Sequence, residues 1–257
     1  MTDGRDNPTN ADGGAEVSAE LPAGLREPFV PPPPRPGLGA GVAVLLAFAA
    51  MAALWAALVG VGPAVLDSAL LAGSVDARSG ELTASAILVT DVGSTLVMAV
   101  LAVSAGAWCW YRGRRADAVL AIGAMVGASI VFRLLKIVIG RPRPPEISRL
   151  VVETNESLPS GHATMSTVVL GTLVVLGWAH RRRLGRILLV AGAAAWVGAV
   201  GATRIYLGVH WFSDVVAGWL VGAAWLAVCV TLWSWWRARH PADAVVPAQP
   251  AAHLDPT

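Results

Sequence analysis

Six runs of apolar residues, each near the length that spans a bilayer, alternate along the chain with short polar connections. About 20 consecutive apolar residues, wound as a helix, match the hydrocarbon thickness. The runs predict membrane helices at about 39–62, 88–110, 117–139, 161–178, 187–207 and 212–236. Leu38 to Gly62 carries no charge, and Pro63 ends that run. Residues 64–85 include Asp67, Asp76, Arg78 and Glu81 and are expected as an external loop holding a short interfacial helix. Asp91, with Val92-Gly93-Ser94, is expected to open the second span as a helix-start residue. Trp108, Trp110 and Tyr111 close that span, and Trp233, Trp235 and Trp236 close the last, as aromatic belts at the bilayer edge. The expected fold is all-α, a polytopic membrane protein with a bundle of six transmembrane helices.

Outside residues 38–237 the pattern disappears. Residues 1–37 mix Asp, Asn, Gly and Glu with the proline stretch Pro31 to Pro34, and residues 238–257 are similarly poor in large apolar groups. Neither segment can bury enough apolar surface to fold, so both are expected as disordered tails. The first thirty residues hold no short apolar core of the signal-peptide kind, and the first span is expected to remain as an anchor.

Composition narrows the function. The chain is 55% hydrophobic and 14% charged, with a formal net charge of +2, and its arginines are dispersed, which excludes a nucleic-acid partner. Cys109 and Cys229 lack metal-ligand spacing and read as small buried hydrophobes. Lys136 is the single lysine among 19 basic residues, so its position at the end of an apolar run stands out.

Two polar clusters interrupt the oily sequence. The first, KIVIGRPRPPEISRLVVETNESLPSGH, runs from Lys136 through Arg143-Pro144 to Pro159-Ser160-Gly161-His162. The second contains Arg204, His210 and Asp214. Ionisable groups at a membrane edge are costly and mark function by default. Lys136, Arg143 and Arg204 supply cations, while Ser160 and Gly161 supply a hydroxyl and close backbone approach at a helix start. Together these suit a phosphate: guanidinium forks match its oxygens, and a helix N-terminus offers free N–H groups. His210 and Asp214, four apart, are expected to share a helix face at the start of the sixth span, giving a base or nucleophile with its orienter. His162 could protonate a leaving oxygen. Asp91 and Arg133, the latter one turn from Lys136, are further candidates for support.

In combination and order, Lys136 with Arg143-Pro144, then Pro159-Ser160-Gly161-His162, then Arg204 with His210 and Asp214, resemble the three motifs of the type 2 phosphatidic acid phosphatase superfamily. The likeness covers about residues 39–236. It implies a six-helix membrane bundle and metal-free hydrolysis through a phosphohistidine. By resemblance His210 is the nucleophile, Asp214 its orienter and His162 the acid, while Lys136, Arg143, Ser160, Gly161 and Arg204 hold the phosphoryl oxygens. Thr203 and Leu158 depart from the family's usual Ser and Phe. Thr203 keeps the hydroxyl, and Leu158 is expected to alter a pocket wall.

The resulting expectation is an integral-membrane phosphatase for a lipid phosphate or polyprenyl diphosphate, with undecaprenyl diphosphate first and phosphatidic acid or phosphatidylglycerol phosphate as alternatives. No cofactor or metal is expected. An anion transporter or channel is the competing class, disfavoured because the polar residues cluster at one face and no inverted repeat is visible. A zinc site on His162, His210 and Asp214 is disfavoured by the flanking cations. Three arginines at 112–115 and four at 181–186, against one at 64–85, place both termini in the cytoplasm and the site on the external face.

Overall fold

A computed structural model describes residues 36–240, and among these it contains helices and connections without a strand. Eight α-helices follow one another: α1 (Pro36–Val59), α2 (Asp67–Asp76), α3 (Gly80–Val92), α4 (Thr95–Tyr111), α5 (Arg115–Ile139), α6 (Gly161–Gly177), α7 (Arg183–Tyr206) and α8 (Phe212–Arg239). The tails expected at 1–37 and 238–257 fall mostly outside the described residues. Where the two overlap, α1 already begins at Pro36 and α8 continues to Arg239.

Side-chain caps set several boundaries. Ser79 opens α3 by accepting from the Leu82 N–H at 3.2 Å, and Ser94 opens α4 through the Val97 N–H at 3.3 Å. Each hydroxyl satisfies one of the N–H groups that a helix start leaves free. These caps divide the span expected at 88–110, where α3 and α4 meet at a 41° bend. Asp91 lies exposed in the last turn of α3 and does not start a helix; Ser94 does. The loop expected at 64–85 is also more ordered than its charges suggest, holding α2 and the start of α3.

Four helices, α1, α5, α7 and α8, are long and apolar enough to cross a membrane, and the bent pair α3–α4 makes a fifth if counted as one span. The sixth expected span, α6, is apolar but has only 17 residues. At 1.5 Å per residue it reaches about 26 Å, short of a hydrocarbon core of about 30 Å. Large apolar side chains such as Leu45, Phe48, Leu96, Ile137 and Val138 are exposed along these helices, as lipid contact requires.

Small residues let the helices approach. On α5, Ala118, Ala121, Ala124 and Ala128 are buried in the same cluster as Met98 and Ala102 of α4 and Met165, Val168 and Val169 of α6. Between α6 and α8 the backbones nearly touch. A Cβ at Gly218 would lie 2.7 Å from the Ser160 carbonyl oxygen, and one at Gly222 would lie 2.9 Å from that of Thr164. This approach fixes the start of α6 beside the start of α8. Two indoles tie α8 to α5, with Trp225 donating to the Ala124 carbonyl and Trp233 to the Asp117 carboxylate, each at 2.9 Å.

Candidate functional site

The end of α5, the starts of α6 and α8, the end of α7 and the long loop at 140–160 meet at one end of the bundle. Gly140, at φ 62°, ends α5 in the left-handed conformation that glycine tolerates, and its N–H closes the helix on the Lys136 carbonyl at 2.9 Å. The chain then turns through the arginine-proline repeat toward α6. A cavity of about 450 Å³ opens here, lined by Lys136, Arg143, Gly161, His162 and His210, with Arg133, Phe132, Glu153 and Asn155 among the others. Five of the eight residues expected in the site thus face one space. Ser160, Arg204 and Asp214 are buried and are not among the lining residues.

His210 is 2% exposed and lies in the turn before α8, which corrects the expectation that it shares a helix face with Asp214. The two still meet, with His210 Nδ1 3.4 Å from Asp214 Oδ2. On the other side of the ring, Arg143 Nη1 stands 3.3 Å from Nε2. A guanidinium has no acceptor, so Nε2 must accept and Nδ1 must carry the proton toward Asp214. Both contacts select the same tautomer. Burial pushes the imidazole down to about 3, against the opposing pull of Asp214, and leaves it neutral at pH 7.

Asp214 is fully buried and heavily bonded. One oxygen receives Arg141 Nη1, and the other receives the Ser157 hydroxyl and the Trp211 N–H, the latter at 2.9 Å. Arg141 also donates to Ser213 Oγ at 2.8 Å and to Asp67 Oδ2 at 2.9 Å. Asp67 in turn accepts the Ser213 N–H at 2.8 Å and its hydroxyl at 2.6 Å. Sequence reasoning missed Asp67, Arg141, Ser157 and Ser213. Only Arg141 carried a signal, as the first arginine of the arginine-proline repeat.

The cations are held by their own contacts. Lys136 directs its ammonium to the carbonyls of Glu156 and Ser157, the latter at 3.3 Å, and to Asn155 Oδ1 at 3.5 Å. Arg143 donates to the Asn155 carbonyl at 2.6 Å, to Asn155 Oδ1 and to the Val209 carbonyl. Arg204 donates to Thr90 Oγ1 at 2.9 Å and to Glu153. Its Nε is buried without a partner among the described residues. Ser160 caps α6, its Oγ 3.5 Å from the Ala163 N–H, as expected. Gly161 packs against Phe132, where a Cβ would lie 3.0 Å from the ring. His162 is half-buried on the cavity wall. Asp91 is not among the lining residues. Thr203 spends its hydroxyl on the Val200 carbonyl at 2.7 Å. Leu158 packs in the core with Leu54, Ala217 and Val221 and does not line the cavity, which corrects the expectation that it shapes a pocket wall.

At one end of the helical bundle Arg133, Lys136 and Arg143 line one cavity with His162 and His210, an arrangement whose charge suits an anion. This chain matches the family model of the PAP2 superfamily over residues 117–238. It is 29% identical over 138 residues to phosphatidylglycerophosphatase B of Bacillus subtilis, a match covering 52% of this chain and 66% of that protein. It is 38% identical over 74 residues to an undecaprenyl-diphosphatase of Sulfolobus acidocaldarius, covering 29% of this chain and 32% of that one. The fold is similar to the crystal structure of a transmembrane PAP2-type phosphatidylglycerolphosphate phosphatase from Bacillus subtilis. There the TM-score is 0.66 at 25% identity, over 73% of this chain and 94% of that one.

Proposed function

We propose that this chain is an integral-membrane phosphatase that removes a terminal phosphate from a lipid through a phosphohistidine on His210. The observation that carries the reading is the fixed His210 tautomer, with a neutral Nε2 lone pair in a cation-lined cavity and Nδ1 backed by Asp214. Nε2 attacks phosphorus, and the bond to the lipid oxygen breaks. His162, protonated while the phosphate dianion is bound beside it, gives that oxygen its proton. Water then attacks the phosphohistidine while His162 takes a proton back, and phosphate leaves with His210 neutral again. Lys136, Arg143 and Arg204, with the Ser160-Gly161 helix start, stabilise charge on the phosphoryl oxygens. No step requires a metal.

Two substrates have specific support. The longer match and the similar fold favour phosphatidylglycerol phosphate, whereas the shorter match favours undecaprenyl diphosphate, the first expectation from sequence. Phosphate release by the purified protein against both lipids, and against phosphatidic acid, ranks them. Release from none of these would refute the reading.

The bundle is proposed to cross the membrane six times, with α3–α4 as one bent span and α6 as a short one. Both termini are then cytoplasmic and the site external, on the arginine asymmetry of the connecting loops. Single cysteines in a Cys109→Ala, Cys229→Ala background test this at two exposed positions, Ile147 and Leu184. A membrane-impermeant thiol reagent should label position 147 alone on intact cells, and labelling at 184 alone would invert the orientation.

A further inference from the structure

The two arginines of the cradle already share an anion, the chain's own Glu153. One carboxylate oxygen bonds Arg204 Nη2, and the other lies 3.6 Å from Arg143 Nη2. Both guanidinium side chains are nearly buried, at 4% and 3% exposure, whereas Glu153 is 24% exposed and lines the cavity. A carboxylate with one oxygen on each of two arginines presents the geometry that two phosphate oxygens would present. The remaining donors of Lys136 and Arg143 are largely committed to loop oxygens, while Arg204 Nε waits without a partner among the described residues.

We infer that Glu153 is a displaceable resident of the phosphate cradle, and that the cost of displacing it keeps the weaker-binding monoanionic phosphodiester headgroups of bulk lipids out of the site while dianionic terminal phosphates still enter. The inference rests on reading this cavity as the site of a lipid phosphatase. A membrane carries phosphodiester headgroups in large excess, and an empty pair of buried arginines would be filled by them. With Glu153 in place, a diester exchanges one monoanion for another. The resident wins that contest, because its tether gives it a high effective concentration. A terminal phosphate brings a second charge next to two poorly solvated cations, where charge is worth more than in water, and a third oxygen for Arg204 Nε. The exchange then favours the ligand, and the freed carboxylate returns to water at the cavity mouth.

The test compares wild-type protein with Glu153→Gln in detergent, measuring binding of inorganic phosphate and of a short-chain phosphatidylglycerol, a phosphodiester, by calorimetry. Wild type should prefer phosphate. Removing the resident charge should tighten both ligands by a similar factor, about tenfold or more, the order of one charge-assisted hydrogen bond. Unchanged affinity for both, or tightening of one alone, would overturn the inference. If Glu153→Gln does not fold, Glu153→Asp decides: its shorter carboxylate cannot bridge both arginines, so tightening of both ligands is again expected and its absence is contradictory. Phosphate release from lipid is scored separately. Turnover without the binding shift refutes the role of Glu153 alone, and a binding shift without turnover refutes the phosphatase reading alone.

Discussion

Asp67 and Arg141 meet at 2.9 Å, and the same guanidinium bonds Asp214, so α2 reaches the carboxylate behind His210 through one side chain. Asp67 is 5% exposed and also grips the backbone and hydroxyl of Ser213. The pair therefore positions Asp214 without touching the cavity.

Asp67→Asn should lower kcat about tenfold while leaving KM nearly unchanged, since a bond to a charged group is worth about 1.5–3 kcal/mol and part of it is spent on orientation. Steady-state kinetics on a lipid phosphate check this split. A change confined to KM would mean that the pair shapes headgroup binding instead.

The cradle should be intolerant of a conservative change. Arg143→Lys and Arg204→Lys keep the charge but lose the fork, with which Arg143 contacts Nε2 of His210, the Asn155 side chain and the Val209 carbonyl. Loss of one donor to a developing oxyanion costs about a hundred- to thousandfold in kcat. Kinetics showing only a raised KM would reduce both arginines to headgroup binding.

Acid should destabilise the fold through His210. Its folded value of about 3 lies below the ordinary 6.5, so between these limits the unfolded chain binds the extra proton. Stability conferred by neutral His210 is complete above about pH 6.5 and is lost as the pH falls toward 3, at up to about 1.4 kcal/mol per pH unit. Thermal unfolding in detergent between pH 8 and 4.5 should show a shallower pH dependence for His210→Gln than for wild type. Equal slopes would mean that His210 does not titrate this way.

The parts of this architecture that were legible in the sequence are those written as interruptions. Lys136, Arg143, His162 and His210 stand where charge or a titratable ring breaks an apolar run, and all four line the cavity. The residues that brace the site were not legible, because Asp67 and Thr90 are distant in sequence from Arg141 and Arg204, and Glu153, although inside the first cluster, is ordinary in its local setting. The spacing of His210 and Asp214 suggested a shared helix face. The structure joins them differently: His210 sits in a turn, and Asp214 folds back to the Trp211 N–H at the start of α8. Apolar periodicity could not show the bend at Gly93-Ser94, since both arms are apolar, although Ser94 carried the signature of a helix start. The short length of α6 was hidden similarly. Trp178 prolongs the apolar run by leaving the α-helix in a tighter turn.

Trapping a covalent phosphoryl group on His210 tests the proposed reaction at its key intermediate. Phosphohistidine survives alkali and is lost in acid, so purified protein mixed with a lipid phosphate labelled in its terminal phosphate, then quenched in alkali, should carry label on the peptide containing His210. Label should be absent from His210→Ala. It should accumulate in His162→Ala when the leaving group needs no proton, because hydrolysis of the intermediate is slowed. Phosphate release by the wild-type protein with no alkali-stable label in either wild type or His162→Ala, or with label retained in His210→Ala, would contradict the account.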